Sequence, residues 1–235
     1  MEKHTPVLLK EALTMLSPKD GGIYFDGTFG GGGYSRAILN AADCKVIACD
    51  RDSVTEDIAT ELKRDYNDNF NFSLAKFSSI RSIVEFYGVQ KLDGVVLDLG
   101  VSNFQLMDPS RGFSFKLKGP LLMNMGLSDK TALNVIRKYS EKDLANIIYR
   151  LGEERFSRRI AKNIKLNLRG IQNTEDLANV IRSCVKKMGK IDSATRTFQA
   201  LRIFVNDELS ELEKVLSESL ELLNSDGKII VISFH

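Results

Sequence analysis

The first hundred residues alternate between short apolar runs and segments with helical periodicity. Continuous or alternating apolar residues predict β-strands at 23–25, 45–49, 69–75 and 94–98. Apolar residues at helical spacing, with polar residues between them, predict helices at 10–16, 52–64 and 79–87. Strands that alternate with helices indicate an α/β fold with a parallel, doubly wound sheet, which binds ligands at the carboxyl ends of its strands.

The alternation stops after Gly100 and resumes near the end of the chain. From about 108 to 206 the pattern predicts only helices, at 131–138, 141–149, 153–168, 173–185 and 193–205. A long amphipathic helix is then expected at 207–223, a turn at 224–227 and a fifth strand at 228–234. We therefore predict a sheet domain formed by 1–108 and 206–235, interrupted by an inserted helical domain at 109–205.

The charge is distributed unevenly between these parts. The chain has a formal net charge of +2, but the segment from Arg137 to Val205 contains 16 Lys or Arg and 7 Asp or Glu. This segment therefore carries +9, and the remainder −7. A basic block of this kind attracts phosphate backbones, although solvated helix faces would also produce it.

Several classes of protein are not favoured by the sequence. No apolar run approaches the roughly 20 residues of a membrane span, and the N-terminus lacks the pattern of a signal peptide. Cys44, Cys49 and Cys184 have no metal-ligand spacing, and His4 and His235 are the only histidines. We expect a cytoplasmic protein with reduced cysteines and no metal site.

A glycine-rich stretch from Asp26 to Ser35 lies between the first strand and the next helical segment. Glycines at such a junction permit a tight turn and the close approach of a ligand. The spacing is D-x-x-x-G-x-G, and Ser35 occupies the position that would complete the G-x-G-x-x-G of a dinucleotide site. This spacing favours S-adenosylmethionine (SAM) over a nicotinamide or flavin cofactor, with a plain tight turn as the alternative.

Acidic residues end three of the first four predicted strands. Asp26, Asp50 and Asp98 are expected to meet at one edge of the sheet and to share a ligand. Asp50, about 20 residues beyond the glycine stretch, is placed to accept hydrogen bonds from ribose hydroxyls, or alternatively to cap the following helix. Phe77 is a candidate for packing on adenine, although a lone aromatic residue is more often simply part of the core.

The stretch from Asp98 to Gln105 offers several hydrogen-bonding side chains after the fourth strand: Asp98, Ser102, Asn103 and Gln105. An exocyclic amine conjugated to a pyrimidine is a poor nucleophile because its lone pair is delocalised. Acceptors that bind its N–H groups would favour the geometry needed for attack on a methyl group. A polar turn with an Asp cap is the structural alternative.

Seven segments closely resemble motifs of the bacterial MraW (RsmH) family and follow in order from His4 to His235. They are HTPVLL at 4–9, DGTFG with two further glycines at 26–33, DRD at 50–52, DLGVS at 98–102, RGFSF at 111–115, GEERF at 152–156 and ATRTFQALR at 194–202. The resemblance implies a Rossmann-like class I SAM-dependent methyltransferase. It also implies methylation of N4 of a cytidine in small-subunit (16S) ribosomal RNA.

The resemblance also implies roles for individual residues. Those expected to contact the cofactor are Gly32, Gly33, Tyr34, Asp50, Phe77, Asp98 and Gln105. Asp98 is the principal candidate for orienting the target amine or accepting its proton, with Ser102 and His235 as further catalytic candidates. The inserted helical domain would help to hold RNA, with contacts from Arg111, Phe113, Arg196 and Arg202. Phe113 is equally consistent with a core position, and each arginine with a surface ion pair.

The sequence departs from the family pattern at a few places. Tyr34 stands where His is common, and Asn103 with Phe104 replaces a Ser-Pro or similar pair. Leu122 and Asn124 occupy positions that usually hold Asp and Arg, so we assign them no function. The family motif that starts at Ile232 normally continues, so the last two strands of the sheet are expected to be missing from this chain.

Two other functions remain open at this point. A methyltransferase acting on a small molecule would show no salt-dependent RNA binding, whereas the basic block predicts a steep dependence. A non-catalytic RNA-binding relative need not bind SAM, so calorimetry would distinguish it. A homodimer is also left open by the sequence.

Overall fold

The computed structural model of the protein describes residues 6–186 and 191–233. It divides into two compact units: one consists of the described residues up to Gly100 and from Ser210 onwards, the other of Val101–Leu209. The sequence predicts that 101–108 and 206–209 belong to the sheet domain, whereas the structure groups them with the second unit. None of the described helices is long and apolar enough to cross a membrane.

The first unit contains a five-stranded sheet whose strand pairs are all parallel, in the order β3-β2-β1-β4-β5. The strands are β1 Ile23–Asp26, β2 Lys45–Asp50, β3 Phe70–Leu74, β4 Leu92–Asp98 and β5 Leu223–Ile232. The reversal of strand order between β1 and β4 is the topological switch point at which doubly wound sheets bind ligands. The prediction of a parallel α/β sheet is confirmed.

Both faces of the sheet are covered by helices. On one face, side chains of α1 Leu9–Leu16, α2 Gly33–Ala41 and α3 Glu56–Tyr66 share an apolar cluster with Tyr24 of β1. On the other face, α4 Ile80–Phe86 and the last helix of the chain pack with Phe25. Successive side chains of a strand point to opposite faces, so Tyr24 and Phe25 fall in different clusters. This double coverage explains the continuous apolar character of β4.

The start of β5 differs from the predicted turn. Leu92 pairs with Leu223, but Gly94 pairs with Lys228, so β5 contains extra residues opposite a short stretch of β4. The segment 224–227 therefore forms an irregularity within the strand, where the Asn224 side chain donates a hydrogen bond to Asp93 at 3.1 Å. The residues expected to form a turn therefore lie in a bulge of β5, where the regular pairing with β4 is interrupted.

The second unit contains six helices in its described residues and has its own apolar core. They are α5 Asn103–Met107, α6 Ala132–Lys138, α7 Glu141–Gly152, α8 Ser157–Leu166, α9 Thr174–Cys184 and α10 Thr195–Asn206, followed by α11 Glu208–Leu222, most of which belongs to the first unit. The helix expected to begin at 153 starts later, because Glu153 has a left-handed conformation (φ 49°). The carboxylate of Glu154 accepts the Phe156 N–H at 2.8 Å and holds this turn.

A buried amide holds an irregular segment in the second unit. Asn206, which is 1% exposed, donates to the Met123 carbonyl at 2.7 Å and accepts the Met125 N–H at 2.9 Å. Met123 is fully buried and has φ of 60°, a conformation that costs energy for a residue with a side chain. The Met123 carbonyl and the Met125 N–H have no partner in a helix or strand, and the Asn206 side chain supplies hydrogen bonds to both.

We predict that Asn206→Ala destabilises the protein by about 2–4 kcal/mol, because a buried N–H and a buried carbonyl lose their partner. Urea unfolding monitored by circular dichroism measures this change. Asn146→Ala is the matched control, since Asn146 is exposed on α7 and its loss should cost less than about 0.5 kcal/mol. Equal stability of the two variants would contradict the role given to Asn206.

Candidate cofactor-binding and catalytic site

Three aspartates end three adjacent strands of the sheet. Asp50 ends β2, Asp26 ends β1 and Asp98 ends β4, and these strands are neighbours in the order β2-β1-β4. The register pairs Asp26 with Ala48 and with Val96, so Asp50 and Asp98 each extend beyond it. The acids expected to share one edge of the sheet therefore lie along that edge.

The carboxylate of Asp26 binds the start of the glycine loop, which we define as Gly27–Gly33. Its carboxylate is fully buried and accepts the Ser35 hydroxyl at 2.6 Å and the Thr28 N–H at 3.2 Å. Burial raises the pKa of Asp26 to about 6, and the two hydrogen bonds oppose that rise only in part. Because it has no exposed surface, Asp26 acts through the loop it holds.

Asp50 binds the same loop from the neighbouring strand. One carboxylate oxygen accepts the Gly30 N–H at 2.8 Å, and the other accepts the Asp52 N–H at 2.9 Å. Burial raises the pKa of Asp50 despite these hydrogen bonds. The helical capping that sequence reasoning offered as an alternative is performed by Asp52, whose side chain accepts the Val54 N–H in the turn before α3. A carboxylate has about four acceptor sites, so Asp50 keeps capacity for a ligand.

The glycines of the loop are required for different reasons. Gly30 (φ 49°) and Gly32 (φ 72°) have left-handed conformations. A Cβ built on Gly30 would have no atom nearer than 3.8 Å, so the backbone there borders open space. A Cβ on Gly33 would instead lie 2.3 Å from Cγ of Pro6. The backbone at Gly30 therefore has space in front of it, while Gly33 permits close internal packing.

Tyr34 and Phe77 both contribute to the packing around the loop. Tyr34 is 4% exposed, and its hydroxyl donates to the Val7 carbonyl at 2.5 Å. Burial raises the pKa of this phenol. Phe77 is half-buried against the cluster around Phe25, and its Cβ would lie 3.0 Å from a Cβ built on Gly27. Phe77 therefore lies beside the loop, with part of its surface accessible.

Asp98 is anchored to the glycine loop through its main chain. Its N–H donates to the hydroxyl of Thr28 at 2.7 Å, and the next N–H, of Leu99, donates to the Ile232 carbonyl at 2.8 Å. The side chain is partly exposed. Thr28 lies in the glycine stretch and links two of the three strand ends, a role that the sequence did not predict.

Ser102 and Gln105 form a capping box at the start of α5. The Ser102 side chain accepts the Gln105 N–H at 3.3 Å, and the Gln105 side chain accepts the Ser102 N–H at 3.0 Å. This reciprocal arrangement satisfies two donors at a helix start and is a sufficient structural reason for both residue types. The side chain of Gln105 is buried within this turn.

The four candidate RNA contacts have different environments. Arg196 is exposed and donates to the Glu153 carbonyl at 3.5 Å. Arg111 is half-buried and donates to the Asn124 carbonyl at 3.2 Å. Phe113 is 7% exposed within the apolar core, which is the alternative that the sequence had left open. Among Arg196, Arg111 and Phe113, Arg196 is therefore the most accessible.

Arg202 is held by an ion pair within its own unit. Its Nε and Nη2 atoms donate to the two carboxylate oxygens of Glu208 at 2.8 and 3.0 Å, and both side chains are largely buried. A bidentate pair of this kind fixes the guanidinium and stabilises the end of α10. His235, a catalytic candidate from the sequence, lies outside the described residues.

Comparison with known proteins gives matches over the length of the chain. A sequence model of the MraW methylase family matches residues 1–235. The chain is 52% identical over 239 residues to ribosomal RNA small subunit methyltransferase H of Ehrlichia ruminantium (strain Gardel), covering 99% of this chain and 79% of that protein. It is 47% identical over 243 residues to the enzyme of the same name from Anaplasma phagocytophilum (strain HZ), covering 100% and 82%. It is 49% identical over 240 residues to the enzyme of the same name from Wolbachia sp. subsp. Drosophila simulans (strain wRi), covering 99% of this chain and 80% of that protein.

We predict that Asp26→Asn changes how stability depends on pH. A carboxyl whose pKa is about 6 in the folded state and about 3.9 in the unfolded state stabilises the fold below the lower value. This contribution is lost as pH rises through 6. Between pH 4.5 and 7.5 the stability of the variant should therefore improve relative to wild type by about 2 kcal/mol. Urea unfolding at both pH values tests this, with Asp68→Asn at an exposed position as the control for the substitution itself.

Proposed function

The chain belongs to the MraW methylase family, and from this membership we propose that it transfers a methyl group from SAM to small-subunit ribosomal RNA. The relatives named above are ribosomal RNA small subunit methyltransferases. The proposed acceptor is N4 of a cytidine in 16S RNA within the small ribosomal subunit, in the cytoplasm. The observation that carries the proposal is the set of three strand-end aspartates connected to one glycine loop.

The glycine loop and Asp50 are suited to hold the cofactor. The open space at Gly30 and the carboxylate of Asp50, joined by a 2.8 Å hydrogen bond, form a cradle with acceptors for ribose hydroxyls. We propose Gly32, Gly33 and Tyr34 as supports of this cradle and Phe77 as a packing surface for adenine. When bound, SAM would supply an electrophilic methyl group.

Asp98 is the proposed catalytic residue. A carboxylate at the end of β4 accepts an N–H hydrogen bond from the target amine, which favours a pyramidal nitrogen and an available lone pair. The hydrogen bond from its main chain to Thr28 keeps this carboxylate in register with the glycine loop. Ser102 and Gln105 contribute by fixing the turn that follows Asp98 along the chain.

RNA recognition is proposed for the second unit. Arg196 is a candidate for direct contact, and Arg111 for contact with the part of its side chain that is exposed. Arg202 supports α10 through Glu208, and Phe113 supports the core beneath Arg111, whose guanidinium lies 5.8 Å from the ring centroid. Methylation of a base in RNA requires that the base leave the stack, so contacts to the phosphates are needed to position the strand.

The experiment that tests the function is methyl transfer from labelled SAM to undermethylated small ribosomal subunits, followed by mapping of the modified base. Incorporation at N4 of one cytidine supports the proposal. A methyltransferase for small molecules would leave RNA unlabelled, and a non-catalytic relative would also fail to bind SAM in calorimetry. Sedimentation with and without RNA establishes whether the active species is a homodimer.

We predict that Asp98→Asn lowers kcat by about 100-fold or more, because the isosteric amide cannot accept the proton or both hydrogen bonds of the amine. The thermal midpoint should stay within a few degrees of wild type, since the main-chain hydrogen bond to Thr28 is retained. Single-turnover transfer to small subunits measures the rate, with the exposed Asp68→Asn as control. Near-normal transfer by the Asp98 variant would remove it from the catalytic role.

A further inference from the structure

We propose that one face of α8 binds the phosphate backbone of the RNA substrate. This surface, the α8 basic face, consists of Arg158, Arg159 and Lys162, none of which was a candidate from the sequence. The inference rests on the proposed function, because that function names RNA as the substrate. It assigns a binding surface within the second unit alone.

The three residues lie on the side of α8 that faces solvent. The buried residues of the helix are Ser157, Ile160, Ala161 and Ile164, which recur at helical spacing on one side. Arg158, Arg159 and Lys162 are all exposed on the other. Arg158 and Lys162 are about one turn apart, a rise of about 6 Å along the axis. The three cations thus form a continuous patch.

The arrangement of these charges disfavours the helix that carries them. The sequence of α8, SRRIAKNIKL, contains no acidic residue. Lys162 is three and four residues from two arginines, and like charges at these spacings are destabilising. Arg158 and Arg159 also occupy the first turn, where the helix dipole favours negative charge. A solvated face selected for stability would instead carry pairs of opposite charge.

The α8 basic face also lacks the ion pairs that other arginines have. Arg182 is paired with Asp192 at 2.9 Å and Arg202 with Glu208 at 2.8 Å. Among the residues that the structure describes, no carboxylate lies within ion-pair distance of the three α8 cations. Their positive charge is therefore available to an external polyanion.

The backbone beneath the face is held in place. Asn163 donates to the Val180 carbonyl at 2.6 Å and to Ser183 at 3.0 Å, which ties α8 to α9. Lys165 donates to the Ile136 carbonyl at 2.7 Å, which ties it to α6. A rigid helix presents its cations without the cost of ordering a loop when a ligand binds.

Arg196 lies at the end of α7 that leads into α8. Its guanidinium donates to the Glu153 carbonyl, and its main-chain oxygen would lie 2.3 Å from a Cβ built on Gly152. Gly152 and Glu153 are followed within the same turn by the start of α8. Arg196 thus lies close to the turn that precedes α8 along the chain, within the same unit as the α8 basic face.

RNA fits this face better than an acidic protein does. Protein interfaces depend on buried aromatic or aliphatic anchors, and the exposed surface of α8 offers only Leu166, at its last position. Phosphates need no such anchors, and guanidinium groups match their geometry. The net charge of +9 from Arg137 to Val205 favours a long polyanion over a small acidic patch.

The test compares two triple variants with the same loss of charge. The first, R158Q/R159Q/K162Q, removes the face and keeps residues with good helix propensity. The matched control, R137Q/K138Q/K142Q, removes three exposed cations from α6 and α7 of the same unit. For each, the Kd for small-subunit RNA is measured by filter binding over a series of KCl concentrations, the Kd for SAM by calorimetry, and the thermal midpoint by circular dichroism.

For the α8 variant we expect the Kd for RNA to rise about tenfold or more. The slope of log K against log salt should shrink by about 2, for three phosphate contacts to single-stranded RNA. The Kd for SAM should stay within about twofold, and the thermal midpoint should be unchanged or higher because the like charges are gone. The control should show less than about a third of the effect on RNA.

Other results would overturn the inference. Equal loss of RNA affinity in both variants would show a general effect of net charge. A lower thermal midpoint with an unchanged salt slope would show a structural role, and competition by polyglutamate as strong as by RNA of equal charge would favour an acidic protein. If the α8 variant alone loses RNA affinity while wild type transfers no methyl group, the surface is supported and the proposed catalysis fails. If wild type transfers the methyl group but the α8 variant keeps its RNA affinity, the proposed catalysis is supported and the α8 surface is overturned.

Discussion

The first unit depends on the attachment of one short loop to the ends of three strands. The glycine loop donates the Gly30 N–H to Asp50 and the Thr28 N–H to Asp26, and Thr28 accepts the N–H of Asp98. Parallel pairing places the carboxyl ends of β2, β1 and β4 side by side, and the loop connects them at that edge. The strand ladders end at this edge, so its main-chain groups need partners outside the sheet. The loop therefore connects the proposed cofactor site to the main chain of Asp98, the proposed catalytic residue.

The attachment buries two carboxylates, which disfavours their charged forms. Burial raises the pKa of both Asp26 and Asp50, and the charge of Asp50 raises the pKa of Asp26 further, as the charge of Asp52 does for Asp50. Main-chain N–H groups and the Ser35 hydroxyl compensate only part of that cost. Acids at this edge are poor choices for stability alone, and their arrangement is typical of a site that must present acceptors to a ligand.

The sequence predicted the sheet well because its evidence was local. Apolar runs ending in Asp, followed by helical periodicity, are sufficient to place β1, β2 and β4, and the predicted parallel sheet is confirmed. The bulge in β5 could not be foreseen, because the pairing of Leu223 with Leu92 and of Lys228 with Gly94 is a long-range choice. The same holds for Asn206, whose two buried partners at Met123 and Met125 are distant in sequence.

Residue type alone could not separate binding roles from internal ones. Ser102 and Gln105 satisfy a capping box, and Arg202 is held by Glu208, although each resembles a ligand-binding residue in the sequence. The cations of α8 show the opposite case, since a basic helix face appears ordinary until its lack of partners is known. Contacts to phosphates position a strand but carry no information about the base. If the α8 basic face holds the RNA, the choice of nucleotide must come from groups that meet the base itself. Asp98, the proposed catalytic residue, has a partly exposed carboxylate, and a carboxylate accepts hydrogen bonds from an amine but not from a carbonyl.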